Sequence, residues 1–205
     1  MKKKYKLMIA IIVVIFIVIA AILLFSFVNN KDEKETVKVV DNISNFGYTL
    51  DDRDTDLMKN TYNELKEILL KDEIDYESYA QTLAKLFVID LFTMNNKINR
   101  YDVGSTEYVY PESLDNFKTN VEDTIYKTIE NNSDGKRKQD LPEVSSIELV
   151  SSDTNEYVIG EEAYDSFVIS LNWNYEYDLG YDKQATITLI QLEKKLYVVE
   201  YVTGE

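Results

Sequence analysis

Cysteine and histidine are absent from the 205-residue chain, and glycine and proline are scarce, at six and two residues. Without cysteine there is no disulfide framework of the kind that holds small secreted domains together, and no thiol for a lipid anchor. Without either residue the usual zinc and haem ligands are missing. So are the Ser-His-Asp and Cys-His arrangements and the commonest general base near neutral pH. Catalysis would have to run on carboxylates, lysine, tyrosine, serine or threonine. P-loop, GxGxxG, GxSxG and HExxH motifs are absent too. The sequence therefore predicts no cofactor, no metal site and no enzyme activity. What is present, 45% hydrophobic and 12% aromatic residues with 16 tyrosines, is too rich in core-forming side chains for a disordered chain.

Charge is partitioned along the chain. The net is -15, yet Lys2, Lys3, Lys4 and Lys6 all precede the first apolar run and the first acid is Asp32. The remainder holds 18 basic against 37 acidic residues, a net of -19. Such a surface repels nucleic acid and anionic lipid headgroups, which excludes nucleic acid as a partner and favours a basic or cation-bridged one.

Leu7 to Val28 is an unbroken run of 22 residues without charge, with Ser26 its one polar side chain. At a rise of about 1.5 Å per residue it reaches about 33 Å, enough to cross a hydrocarbon core. Lysines before it and Asp32, Glu33 and Glu35 after it orient the segment by the positive-inside rule. The prediction is a single-pass cell-membrane protein with a cytoplasmic tail at 1–6, an anchor at 7–28 and the rest extracytoplasmic. A cleaved signal peptide is the rival, but its apolar region spans about 7–15 residues and ends in small residues, whereas this one ends Leu-Leu-Phe-Ser-Phe-Val. The run has no GxxxG and no ionisable residue, so it serves as an anchor without a marked dimerisation face or ion path.

Residues 29–50 read as a polar stalk, and 51–205 as one domain of ordinary size. Met58, Tyr62, Leu65 and Leu69 recur at helical spacing. Asp75 opens a second helix with Tyr79, Leu83, Leu86, Phe87 and Met94 on its buried face, ended by Asn95-Asn96. Pro111 suits the first turn of a third, whose stripe is Leu114, Phe117, Val121, Ile125 and Thr128 or Ile129. The period then becomes two. Ile147 and Leu149 begin an alternating segment, and Tyr157 and Ile159 form a second part of it. Phe167, Ile169, Leu171, Trp173, Tyr175 and Tyr177 alternate with polar residues, followed by strands at Ala185–Leu189 and Leu196–Val202. Short turns imply an antiparallel meander of about four strands. The fold class predicted is α+β: a transmembrane helix, then three helices packed on a curved antiparallel sheet.

That order of elements over residues 51–203 resembles the cone-shaped nuclear-transport-factor-like fold. A single amino-terminal anchor on such a domain is similar to the bitopic assembly subunit of type IV secretion and conjugation machines. The resemblance lies in topology and no functional residue transfers from it. It implies a concave sheet face covered by helices, and a protein partner in the membrane.

Candidate site residues follow from position. Asp90 interrupts Leu86-Phe87-Val88-Ile89-Asp90-Leu91-Phe92. A carboxylate facing an apolar cone would have its pKa raised and could hold a ligand or act as a base, with Trp173, Tyr175 and Tyr197 as pocket partners. The alternative is that Asp90 sits at the stripe's edge or hydrogen-bonds the following loop. Tyr101, Tyr108 and Tyr110 lie in the loop between the second and third helices and form the candidate interface. The DDRDTD run echoes a calcium loop, but counted from Asp52 the sixth and twelfth positions hold Leu57 and Asn63 where such a loop needs Gly and Glu. Acids at a helix start favour the helix dipole instead. Lys136-Arg137-Lys138 reads as a solvated loop or a contact for an acidic partner. Two functions stand ahead of a carboxylate enzyme: a non-enzymatic interaction module in an envelope or secretion-type assembly, and an extracytoplasmic small-ligand binder using the cone pocket.

Overall fold

The described residues are 37–204 of a computed structural model, and they run β1 (Val39–Ile43), β2 (Tyr48–Asp51), α1 (Asp56–Leu69), α2 (Tyr76–Phe92), a 3-10 turn (Pro111–Ser113), α3 (Leu114–Asp123), β3 (Val144–Ile159), β4 (Glu162–Tyr175), β5 (Gln184–Leu192) and β6 (Lys195–Thr203). The predicted anchor at 7–28 and the start of the predicted stalk lie outside them. No helix among the described residues is long and apolar enough to cross a membrane. The fold is α+β, with three helices and a four-stranded antiparallel sheet in the order β3-β4-β5-β6.

Local chemistry sets the helix starts. Thr55 caps α1, its side-chain oxygen accepting from the Met58 amide, and Asp75 caps α2 by accepting from the Ser78 amide at 3.2 Å. Helix α1 buries a single stripe of Met58, Thr61, Tyr62, Leu65 and Leu69. In α2, eleven of seventeen residues are buried, including Leu83, Leu86, Phe87, Val88, Ile89, Leu91 and Phe92. A helix that apolar must be enclosed on several sides. It touches all four strands of the large sheet and packs on α1. From the sheet, Phe167, Ile169, Leu171, Trp173 and Tyr175 of β4 face the core with Ile187 and Leu189 of β5. Phe92 meets Trp173 at 4.9 Å between ring centroids and Phe87 meets Tyr201 at 5.6 Å.

Strand β4 stops at Tyr175 and leaves Tyr177, expected in its apolar stripe, exposed, and three further expectations about element limits change. Residues 39–51 are a hairpin rather than stalk, with Ile43 opposite Tyr48. Tyr48 is fully buried, shares a 2.5 Å hydrogen bond with the Tyr79 hydroxyl and donates to the Leu196 carbonyl at 3.2 Å. A hairpin therefore precedes the helices. Second, α3 ends at Asp123 instead of continuing to Thr128 or Ile129. The chain turns at Thr124 so that Tyr126 enters the core and donates to the Leu91 carbonyl at 2.8 Å. Third, β3 is one 16-residue strand through the polar stretch Ser151–Glu156, paired with β4 as far as Ile159 and Glu162.

The hairpin assignment makes a sharp prediction. Tyr48→Ala should cost about 3–5 kcal/mol, the range for removing a large buried ring, read as a lower urea midpoint of the purified protein. A stalk residue would change it by a few tenths.

Candidate functional site

Asp90 does not face the sheet. Its side chain points to the loop that follows α2, where its Oδ1 accepts from the Lys97 ammonium at 2.5 Å and its Oδ2 from the Ser105 amide. Ser105 takes the left-handed conformation (φ 63°) and its hydroxyl donates to the Phe87 carbonyl at 2.7 Å. Gly104 is required there because a Cβ would lie 2.5 Å from the Asp90 carbonyl oxygen. The Lys97 side chain is only 7% exposed and that of Asp90 18% exposed. Asp90 is thus the second reading of the sequence, a carboxylate that binds the following loop.

Around this clamp lies a recess of about 220 Å³, whose acidic lining is Asp51, Asp54, Asp90, Asp102 and Glu107. Most of these carboxylates are engaged within the protein. Asp54 accepts from the Asp51 amide at 2.6 Å, and Asp102 accepts from Arg53 and the Ile98 amide, each at 2.8 Å. Both Glu107 oxygens accept from Thr49 of β2, at 2.8–3.1 Å. Burial raises the Glu107 carboxyl to about 7 and that of Asp54 to about 6. Burial also pushes up Asp102, but its hydrogen bond from the Arg53 guanidinium and the other neighbouring donors and charges outweigh this and leave it lowered. Among the described residues no group of three or more carboxylates is placed to hold a metal ion. The recess joins β2, α1 and the 97–108 loop.

The remaining pocket residues do not converge on Asp90. Trp173 is buried against Phe92, and Tyr175 donates to the Asp182 carbonyl at 2.7 Å. Tyr197 lies on the other face of β6 from Leu196 and Val198, half-buried, with Tyr110 at 6.3 Å and the Lys195 ammonium 4.9 Å from its ring centroid. The predicted pocket of Asp90, Trp173, Tyr175 and Tyr197 is not assembled, because Phe87, Phe92, Ile169, Leu171, Ile187 and Leu189 occupy the space between sheet and helix. The aromatic loop is divided as well. Tyr101 is 64% exposed and Tyr110 half-buried, but Tyr108 is fully buried with its ring 5.4 Å from that of Tyr48. Its backbone is the reason: Val198 donates to the Tyr108 carbonyl at 2.8 Å and Tyr110 donates back to Val198 at 2.9 Å. The loop thereby bridges the β6 edge of the sheet at Val198 and cannot present three tyrosines together. Arg137 of the basic run turns inward, donating to the Lys97 and Asn95 carbonyls at 2.8 and 2.7 Å.

The opposite edge is different. Strand β3 pairs with β4 on one side, and no described strand pairs with it on the other. Glu148 to Ser151 and Asp153 to Glu156 are exposed, as is Val158. Two register shifts, at Val144/Ser146 and Leu149/Ser151, leave an unbroken ladder from Ser151 to Ile159. In the sequence only Ile147, Leu149, Tyr157 and Ile159 mark this strand, because the polar run between them lacks alternation. A signal was nonetheless present: residues 139–182 contain eleven acids and no Lys or Arg. No family model, no curated protein and no solved structure matches the chain.

Two measurements test the recess. Asp90→Asn leaves the Lys97 ammonium buried and unpaired, at an expected cost of about 3 kcal/mol, and adding Lys97→Met should recover most of it; chemical denaturation of the single and double variants reads both. Glu107 carries a proton in the folded protein between its ordinary pKa of 4.5 and about 7, while the unfolded chain has released it. Its contribution to stability is therefore full below pH 4.5 and is lost as pH rises to about 7. Relative to Glu107→Gln, the wild-type urea midpoint should fall across that window and run parallel above it.

Proposed function

We propose that the protein is a membrane-anchored extracytoplasmic interaction module, non-enzymatic, working in an envelope or secretion-type assembly through a protein partner. The observation that carries this reading is a contrast within the sheet. Its inner face is filled by buried side chains, and one edge is bridged at Val198 by residues 108–110. The other edge, the 16-residue β3, has no strand beside it among the described residues. Filled interiors leave little room for a ligand, whereas a long exposed strand edge offers unpaired amides and carbonyls to another chain. The 22-residue apolar run supports placing the domain at a membrane, and the acidic surface supports a basic partner.

The dispersal of Asp90, Trp173, Tyr175 and Tyr197 weighs against the ligand-binding alternative. Hydrogen bonds and ion pairs already made by Asp54, Asp90, Asp102 and Glu107 weigh against a carboxylate enzyme. In-cell crosslinking of the full chain followed by mass spectrometry tests the proposal, with residues 1–36 fused to an unrelated domain as control. A reproducible partner that requires residues 37–204 is the expected result. Crosslinks indistinguishable from the control would contradict it.

A further inference from the structure

The edge of β3 carries chemistry more specific than exposure. Its unbroken stretch, Ser151 to Val158, is about 26 Å of strand at roughly 3.3 Å per residue. Asp153 and Glu156 lie within it and Glu148 just before it. Across the ladder, Glu156 stands directly opposite Asp165, a like-charge pairing that disfavours the hairpin on its own. Among the described residues none of Glu148, Asp153, Glu156 and Asp165 makes an ion pair. The sequence supplies no neutralising charge nearby, since the basic residues flanking this stretch are Lys138 and Lys183. Val150 and Val158, 58% and 61% exposed, add apolar surface along the same strand.

We propose that the outer edge of β3 over residues 148–158 is a strand-addition site for an extended, Lys/Arg-rich segment of a protein partner. The assignment rests on the interaction-module reading and names its surface and the chemistry of its partner. Main-chain hydrogen bonds to the free edge give the added strand its register and much of its affinity. Cations on the incoming strand relieve the repulsion between Glu156 and Asp165 and select against acidic or neutral strands. A second copy of this chain is disfavoured as occupant because its own β3 would bring Glu148, Asp153 and Glu156 to an edge that already holds them.

The test uses the full chain in zwitterionic nanodiscs and a dye-labelled ten-residue peptide of alternating Lys and Val, followed by fluorescence anisotropy. Three comparisons accompany it: the peptide with Glu in place of Lys, the Lys peptide N-methylated at alternate amides, and the protein carrying Asp153→Lys with Glu156→Lys. The Lys peptide should bind, and each of the three changes should weaken binding by about tenfold or more. Exposed side chains are being changed, so an unaltered circular-dichroism melt shows that the double variant is folded. Equal binding of the N-methylated peptide would reduce the interaction to charge alone and overturn strand addition. Indifference to the double variant would move the site elsewhere, and a dimer by sedimentation that excludes the peptide would give the edge to a second copy; both overturn the proposal. Failure of the peptide with the in-cell partner intact removes the edge assignment alone. Failure of both removes the interaction reading as well.

Discussion

Enclosure of α2 is the constraint on which the rest of the domain depends. A helix with buried side chains on most of its circumference cannot rest on one surface, and each fully buried Leu, Ile or Phe contributes about 1.5–3 kcal/mol only if water is excluded from it. The sheet supplies one wall, α1 another, and the loop after α2 folds back to close the region around Asp90. The Asp90–Lys97 pair belongs to that closure. A buried ammonium and a partly buried carboxylate are held there because each satisfies the other, and the second carboxylate oxygen accepts from the Ser105 amide.

Tyrosine does much of the joining between these walls. The largest fully buried side chains include Tyr48, Tyr62, Tyr79, Tyr108 and Tyr126. Several end on main-chain carbonyls: Tyr126 on Leu91, Tyr62 on Tyr48, Tyr48 on Leu196. Each of these three rings fills volume while its hydroxyl meets a polar group that would be costly to bury alone, whereas the buried Tyr108 hydroxyl makes no such bond. The Lys195 ammonium, 4.5 Å from the centroid of the Tyr48 ring, adds a cation-π contact between hairpin and sheet. Among the described residues the abundance of tyrosine is thus explained largely by packing, with Tyr101 and Tyr177, 64% and 77% exposed, as exceptions.

Much of this was legible in the sequence where burial imposes a period. The stripes of α1 and α2, the Asp75 cap and the alternation of β4 follow from sides that meet a core. The misreadings occur where no period is imposed. Residues 39–51 are short and bury only Ile43, Tyr48 and Leu50, so a hairpin looks like a stalk until its buried tyrosine is placed. The far half of β3 buries no side chain fully and is held mainly by β4, so nothing requires apolar alternation. At the candidate site, the Asp90 anomaly was visible but its partner was not, since Lys97 reaches back from beyond the helix end. Charge depletion over 139–182 needs no structure to count, but only the topology turns it into an acidic edge.

A filled interior beside an open edge is the central claim, and hydrogen exchange of the full chain measures both at once. The account predicts that amides of Leu83 to Ile89 in α2 and of Ile169 and Leu189 in the sheet exchange only on global unfolding. It also predicts that every second amide between Ser151 and Val158, pointing away from β4, exchanges near the unprotected rate. Rapid exchange along α2, or uniform protection of the β3 edge in the absence of any partner, would contradict it.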